Sequence, residues 1–127
     1  MELVIVSAND TSYNKLLKRE LKEFVMPKLK SNDKIYLLMH NNNYVSMVYF
    51  TQYLNSFYIN YIHTSPRYRR QGHSLYLVQK VMIVARASNC KSMQVTILPD
   101  SGSDYVFLKL GFKYTSDNTS MTFNLSV

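Results

Sequence analysis

An α/β domain on one mixed sheet is the fold this sequence predicts, and three observations carry the prediction. Strand-like and helix-like segments alternate in the order β-α-β-β-β-α-β-α-β-β. No repeat, linker or change of composition divides the 127 residues, so residues 1–127 read as a single domain. A hydrophobic content of 46% against 18% charged residues is enough for one buried core.

Each element has its own signal. Leu3, Val4, Ile5 and Val6 read as a first strand buried on both faces. Asn9-Asp10-Thr11-Ser12 then offers capping oxygens to a helix in which Leu17, Leu21, Phe24 and Val25 recur at helical spacing. Pro27, which lacks an amide hydrogen, ends or kinks that helix. Lys34 to Met39 is a strand, Asn41-Asn42-Asn43 a turn, and Tyr44 to Gln52 the returning strand. Leu54 to His63 follows as another strand, dense in Tyr, Phe and Ile. Gly72 to Asn89 is a long amphipathic helix with a stripe of Leu75, Val78, Met82 and Ala85, widened by Leu77, Val81 and Val84. Ser92 to Leu98 alternates, with Met93, Val95 and Ile97 on one face. Asp104 to Leu110 is a short helix stopped by Gly111, and Phe112 to Thr115 a strand. The last strand sets Met121, Phe123, Leu125 and Val127 on one face, an alternation able to pair across a homodimer; the chain is otherwise a monomer.

Composition narrows the function classes. The longest apolar runs, such as Leu3 to Val6 and Val81 to Ala85, fall far short of the roughly 20 residues a membrane span needs. No basic region precedes the first apolar patch, so no secretory signal and a cytoplasmic location are expected. A lone Cys90 excludes an internal disulfide, and three scattered histidines have no metal-ligand spacing, so no metal site is expected. Fifteen Lys and Arg against eight Asp and Glu give a net charge of +7, which favours an anionic partner: nucleic acid, acidic protein or a phosphorylated small molecule.

The chemistry concentrates in Thr64-Ser65-Pro66-Arg67-Tyr68-Arg69-Arg70-Gln71-Gly72-His73-Ser74-Leu75, between a strand and the long helix. A loop feeding a helix N-terminus aims unpaired amides at one point, with the positive end of the dipole behind them. Gly72 lets the backbone come close to a bulky anion and the arginines add charge, as a pyrophosphate cradle requires. The alternative is a tight strand-to-helix turn with solvated arginines beside it.

The surroundings of this loop resemble the GNAT family of acetyl-coenzyme A-dependent N-acetyltransferases. The family's cofactor motif is Q/R-x-x-G-x-G/A, often preceded by V-x-P-x-Y-R. The sequence has Thr64-Ser65-Pro66-Arg67-Tyr68-Arg69 and then Arg69-Arg70-Gln71-Gly72-His73-Ser74. Ala85-Arg86-Ala87-Ser88-Asn89-Cys90 is similar to the end of the family's cofactor helix. Val95-Thr96-Ile97-Leu98-Pro99-Asp100 is similar to its fifth strand and the loop beyond, and Phe107-Leu108-Lys109-Leu110-Gly111-Phe112 to its Y-e-k-l-G-F signature. The resemblance implies the GNAT (acyl-CoA N-acyltransferase) fold: a mixed, mostly antiparallel sheet with splayed central strands, flanked by helices. It also implies acetyl-CoA as co-substrate, with main-chain groups of Ile62, His63 and Thr64 along the pantetheine and amides from Arg69, Arg70, Gln71, Gly72, His73 and Ser74 on the pyrophosphate. Lys109 either approaches the adenosine 3′-phosphate or is a solvated helix lysine.

Two departures from the family stand out. Ser74 occupies a position where the family prefers Gly or Ala. Phe107 stands where many members carry the tyrosine that protonates the departing thiolate, and phenylalanine has no proton to give. Tyr105, two residues earlier on another helical face, is the nearest substitute. The strand before the motif holds no Glu or Asp, so His63 is the other candidate for proton handling, directly or through water; its alternative is an ordinary strand hydrogen bond. Tyr58, Asn60 and Tyr61 either shape the acceptor pocket or pack the sheet. The readings rank as an N-acetyltransferase acting on a primary amine of a protein or small molecule, then a non-catalytic relative that binds a partner protein, then a nucleic-acid binder. The acceptor itself is not readable.

Overall fold

The computed structural model describes residues 1–96 and 104–126. In chain order the elements are β1 (Glu2–Val6), α1 (Asn14–Glu20), β2 (Asp33–His40), β3 (Asn43–Tyr53) and β4 (Ser56–Thr64). A 3₁₀ turn at Pro66–Tyr68 leads to α2 (His73–Ala87), followed by β5 (Ser92–Thr96), α3 (Asp104–Lys109), β6 (Lys113–Tyr114) and β7 (Ser120–Asn124). The strands form one seven-stranded sheet in the order β1-β2-β3-β4-β5-β7-β6. Every neighbouring pair is antiparallel except β4 with β5, whose parallel pairing requires the crossover that α2 supplies. Among the described residues, no helix is long and apolar enough to cross a membrane.

The central strands are apolar on both sides because both sides are covered. Alternate residues of β2 serve two cores: Tyr36 and Leu38 pack with α2 residues Leu77, Val78 and Val81, while Ile35 and Leu37 pack with Leu17 and Leu21 of the α1 region. The β2–β3 hairpin turns through Asn41 and Asn42, both at positive φ (49° and 64°), a conformation asparagine tolerates and the twist of a hairpin favours. Asp33, buried at the start of β2, accepts hydrogen bonds from Thr51 Oγ1 (2.6 Å) and the Lys30 amide (2.8 Å). Both later helices close with an i→i−5 and an i→i−3 amide bond around a left-handed residue, Asn89 after α2 and Gly111 after α3.

Several sequence expectations need correction. The first strand is not buried on both faces: β1 pairs only with β2, Ile5 is 54% exposed and only Val6 is buried. The first helix is shorter than its spacing predicts. It ends at Glu20, and Val25 lies well beyond it, 91% exposed. Tertiary packing overrides the periodicity there, because Leu21 is buried and the Phe24 ring stacks on Tyr61 at 4.0 Å. Asp10 accepts the Ser12 amide in a local turn at 3.0 Å instead of capping the helix. The buried stripe of α2 centres on Leu77, Val78, Val81, Met82 and Ala85, with Leu75 and Val84 at its margins. β7 pairs with β5 along Ser120–Asn124 and with β6 at Met121 and Thr122. The readings placed on Ile97, Leu98, Pro99, Asp100 and Val127 lie outside the described residues.

One irregularity positions the site. Phe50 lies opposite Ile59 but Tyr49 lies opposite Tyr61, which leaves Asn60 as an extra residue in β4. Such a bulge bends and twists its strand. Among the described residues, β4 pairs with β5 only from Ser56 to Ile59, whereas its pairing with β3 continues to Thr64. Among the described residues, the pairing of these two central strands therefore ends at Ile59.

Candidate functional site

The end of β4 borders a cleft of about 740 Å³. The end of β4 supplies Ile62 and Thr64, the following loop Tyr68, Arg69, Arg70 and Gly72, and the first turn of α2 His73, Ser74 and Leu75. Tyr105, Val106 and Lys109 of α3 form the facing wall. Three cationic side chains line the cleft, and among the described residues no carboxylate does.

The N-terminus of α2 is bare. Its first intrahelical bond joins the Tyr76 amide to the Gly72 carbonyl at 3.0 Å, and no side chain caps it, so the amides of His73, Ser74 and Leu75 have no helical acceptor. Gly72 adopts φ +81°, and a Cβ built there would meet no heavy atom within 4 Å. Arg70 also sits in the left-handed region, at φ 63°. A left-handed turn, bare amides, the helix dipole and three cations thus share one concavity, a combination chemically suited to a polyanion.

The strand side of the cleft offers main-chain groups. The Ser65 amide donates to the Val45 carbonyl at 2.8 Å, and alternate residues of an antiparallel strand face the same neighbour. Ser65, His63 and Tyr61 therefore turn their main chain towards β3, while Ile62 and Thr64 turn theirs towards the opposite edge. Arg69 Nε donates to the Thr64 carbonyl at 3.0 Å and ties the loop to the strand end.

Ile62, Thr64, Arg69, Arg70, Gly72, His73, Ser74, Tyr105 and Lys109 are thus brought together around the cleft. Gln71 is exposed, with its Oε1 3.3 Å from His73 Nε2, and is not among the lining residues. His63 is not brought there either. Its main chain faces β3, and the period of two along a strand sends its imidazole to the α1 face of the sheet. There it lies between the rings of Tyr44 (centroids 5.7 Å apart) and Tyr61 (6.4 Å), with Nδ1 2.7 Å from Tyr44 Oη. Burial, and secondarily the Arg69 guanidinium, holds the His63 pKa below its ordinary 6.5, with Glu20 opposing. Burial first, then Glu20 and Tyr61, raises the Tyr44 phenol far above its usual range, with Arg69 opposing, so Tyr44 keeps its proton.

Phe107 is fully buried and packs edge-on against Phe112 at 5.2 Å, away from the cleft. Two tyrosines line the cleft, Tyr68 and Tyr105, and the oxygen of Tyr105, 64% exposed, accepts a hydrogen bond from Lys109 Nζ at 3.2 Å. Since Lys109 is the donor, the Tyr105 hydroxyl proton is free to be directed into the cleft.

Sequence reasoning missed Tyr44 and Ser46. Ser74 Oγ lies 2.6 Å from Thr64 Oγ1, which lies 2.8 Å from Ser46 Oγ, which donates to the His63 carbonyl at 2.9 Å. A carbonyl can only accept, so the donors run from Ser74 through Thr64 and Ser46 to His63. The one signal available was Ser46 itself, the only non-aromatic polar residue in the run Tyr44 to Phe50 and fully buried in the fold.

The model of the acetyltransferase (GNAT) family matches residues 5–112, and the chain belongs to that family. No curated protein matches the sequence significantly. Among solved structures, the chain is similar to the ribosomal-protein-S18-alanine N-acetyltransferase from Escherichia coli, with a TM-score of 0.78 at 15% identity over 99% of this chain and 96% of that one. It is similar to a GNAT family acetyltransferase from Elizabethkingia anophelis with acetyl-CoA bound (TM-score 0.70, 16% identity, 97% of each chain). It is also similar to the PaiA N-acetyltransferase from Thermoplasma acidophilum in complex with coenzyme A (TM-score 0.72, 11% identity, 98% of this chain and 99% of that one). At these identities the likeness is one of fold: the mixed sheet with its flanking helices is the GNAT fold.

Proposed function

We propose that this protein is an N-acetyltransferase that binds acetyl-CoA in the cleft and acetylates a primary amine of a protein or small molecule. The observation that carries the reading is the bare N-terminus of α2 behind left-handed Gly72, flanked by Arg69 and Arg70. That concavity suits a pyrophosphate, since amides and cations converge there and no carboxylate is among the described residues that line it. Ile62 and Thr64 would hold the pantetheine arm by their main chain, as a sheet edge holds an added strand. Lys109 would meet the 3′-phosphate.

Acetyl-CoA, when bound, supplies a thioester activated towards amines. The chain's own contribution is to orient it, exclude water and manage protons. Tyr105, whose oxygen already accepts from Lys109, is the donor placed to return a proton within the cleft. Phe107 does not take this role, being buried and without a hydroxyl.

Calorimetric titration of the purified protein with acetyl-CoA tests the reading. Micromolar binding, lost in Gly72→Glu, is the expected result; absence of binding by the wild type would sink it. Binding without turnover on any primary amine would favour a partner-binding role for the same site.

A further inference from the structure

The net charge of +7 is not spread evenly over the chain. Residues 15–30 hold six cations against two carboxylates, residues 67–70 hold three arginines and no carboxylate, and elsewhere six cations balance six carboxylates. The arginines belong to the loop of the anion cradle. Residues 15–30 contribute nothing to the described lining of the cleft, so their excess of four cations is not absorbed by that site. This segment, α1 and the irregular stretch after it, straps the face of the sheet opposite α2. Leu17, Leu21, Phe24, Met26 and Leu29 turn inward onto Ile35, Leu37, Tyr44 and Met47, and all six cations, Lys15, Lys18, Arg19, Lys22, Lys28 and Lys30, are exposed. Arg19 pairs with Glu20 at 3.2 Å; among the described residues the five lysines have no carboxylate partner. Between Lys22 and Lys28 stands Val25, 91% exposed. Its neighbours Phe24 and Met26 are both packed on the core, Phe24 with its ring on Tyr61, so the valine is held outward in water.

We propose that residues 15–30 form a docking surface for an acidic protein, whose carboxylates meet Lys18, Lys22, Lys28 and Lys30 while an apolar side chain covers Val25. The excess of lysines sets the sign of the partner. Val25, with Glu20 and Glu23 set among the lysines, sets its kind. A phosphate backbone has nothing apolar to lay on the valine and is repelled by the two carboxylates, whereas an acidic polypeptide carries apolar side chains between its charges. Through Phe24 the surface reaches Tyr61 of β4, three residues from Thr64 of the cleft, which is about 10 Å along the strand. The docking stands by itself; resting on the acetyl-transfer reading above, it makes the docked protein the carrier of the acceptor amine.

The test is fluorescence anisotropy of the full chain with a labelled synthetic peptide in which Glu and Asp alternate with Leu. Beside it are run the same peptide with Ser for Leu and a single-stranded oligouridylate of equal charge. The Leu peptide should bind tightest of the three, with an affinity that falls as salt rises. Combined Lys22→Glu, Lys28→Glu and Lys30→Glu should weaken it by roughly 10-fold, about twofold for each exposed pair lost and the rest from new repulsion. Val25→Ser should weaken the Leu peptide by roughly fivefold and leave the Ser peptide unchanged. All four positions are exposed, so thermal unfolding should match the wild type, and peptide-induced amide shifts in the ¹⁵N-labelled wild type should fall on residues 15–30. Absence of binding, binding that survives the charge reversals, or displacement by acetyl-CoA, which would seat the peptide in the cradle, would each overturn the proposal. Tighter binding of the oligouridylate would overturn it in favour of nucleic acid. A chain that binds the peptide but not acetyl-CoA keeps the docking surface and loses the acetyl-transfer reading; one that binds acetyl-CoA but not the peptide does the reverse.

Discussion

Replacing Gly72 by alanine and by glutamate separates backbone strain from charge at the proposed phosphate cradle. At φ +81° any L residue pays about 1–2 kcal/mol of conformational energy, so both variants should lose about that much stability. Space is not the issue, because a Cβ at this position meets no heavy atom within 4 Å. Alanine therefore adds a methyl group to open cleft and little else. Glutamate adds a carboxylate where the pyrophosphate would lie. At an effective permittivity of about 20 and a separation of about 4 Å, two such charges repel by about 4 kcal/mol. Each 1.4 kcal/mol is about tenfold in affinity, so Gly72→Glu should weaken acetyl-CoA binding by about 1,000-fold. Calorimetry gives the affinities and thermal unfolding the stabilities. Near-wild-type binding by Gly72→Ala, with Gly72→Glu far weaker and the gap narrowing at high salt, is expected. Equal losses in the two variants would refute the electrostatic argument and leave strain as the cause; normal binding by Gly72→Glu would refute the cradle.

Other positions give further outcomes. Gly111→Ala should destabilise the fold by about 2 kcal/mol in a denaturant titration, since φ +95° costs an L residue about 1–2 kcal/mol and the new Cβ would press on Phe123 Cε2 at 3.2 Å. Leu54 opens the two-residue β3–β4 turn at φ 55° while 78% exposed, so Leu54→Gly should raise the unfolding midpoint, a gain of about 1 kcal/mol at most; a lower midpoint would show that its side chain matters to the fold. His63 has a folded pKa below its ordinary 6.5, so the unfolded chain binds its proton at a higher pH than the folded one does. Its contribution is therefore present above about pH 6.5 and is lost as the pH falls towards the folded value, and the decline should be shallower in His63→Gln.

What was legible in the sequence was local. Alternation, hairpin asparagines and the apolar stripe from Leu77 to Ala85 each act within a few residues, and so does the left-handed Gly111 that stops α3. The loop from Arg69 to Ser74 was legible for the same reason: one short stretch holds the turn, the charges and the helix N-terminus. The end of α1 was not, because Leu21 and Phe24 leave the helical path for partners on the sheet, one of them Tyr61. The placement of His63 needed only the period of a strand and the knowledge of which neighbour β4 pairs with at Ser65, and the second of these is tertiary. Tyr44 and Ser46 meet His63 across 19 and 17 residues of chain, a distance at which no pattern in one sequence speaks.

The departure at Ser74 shows how the two kinds of information combine. As sequence it is a small residue with a hydroxyl where the family prefers none. In the fold that hydroxyl spends its proton inward on Thr64 Oγ1, whose own proton goes to Ser46 and onward to the His63 carbonyl. The side chain of Ser74 therefore meets the cleft as an acceptor, ill-suited to a phosphate, and only its backbone amide remains to bind one. The donors that end on the His63 carbonyl, Ser46 from the cleft side and Tyr44 from the α1 side, fix the same stretch of β4 from both faces of the sheet. Ser74 thus adds nothing to the charge of the cradle; it ties the loop that would hold the phosphates to the end of β4.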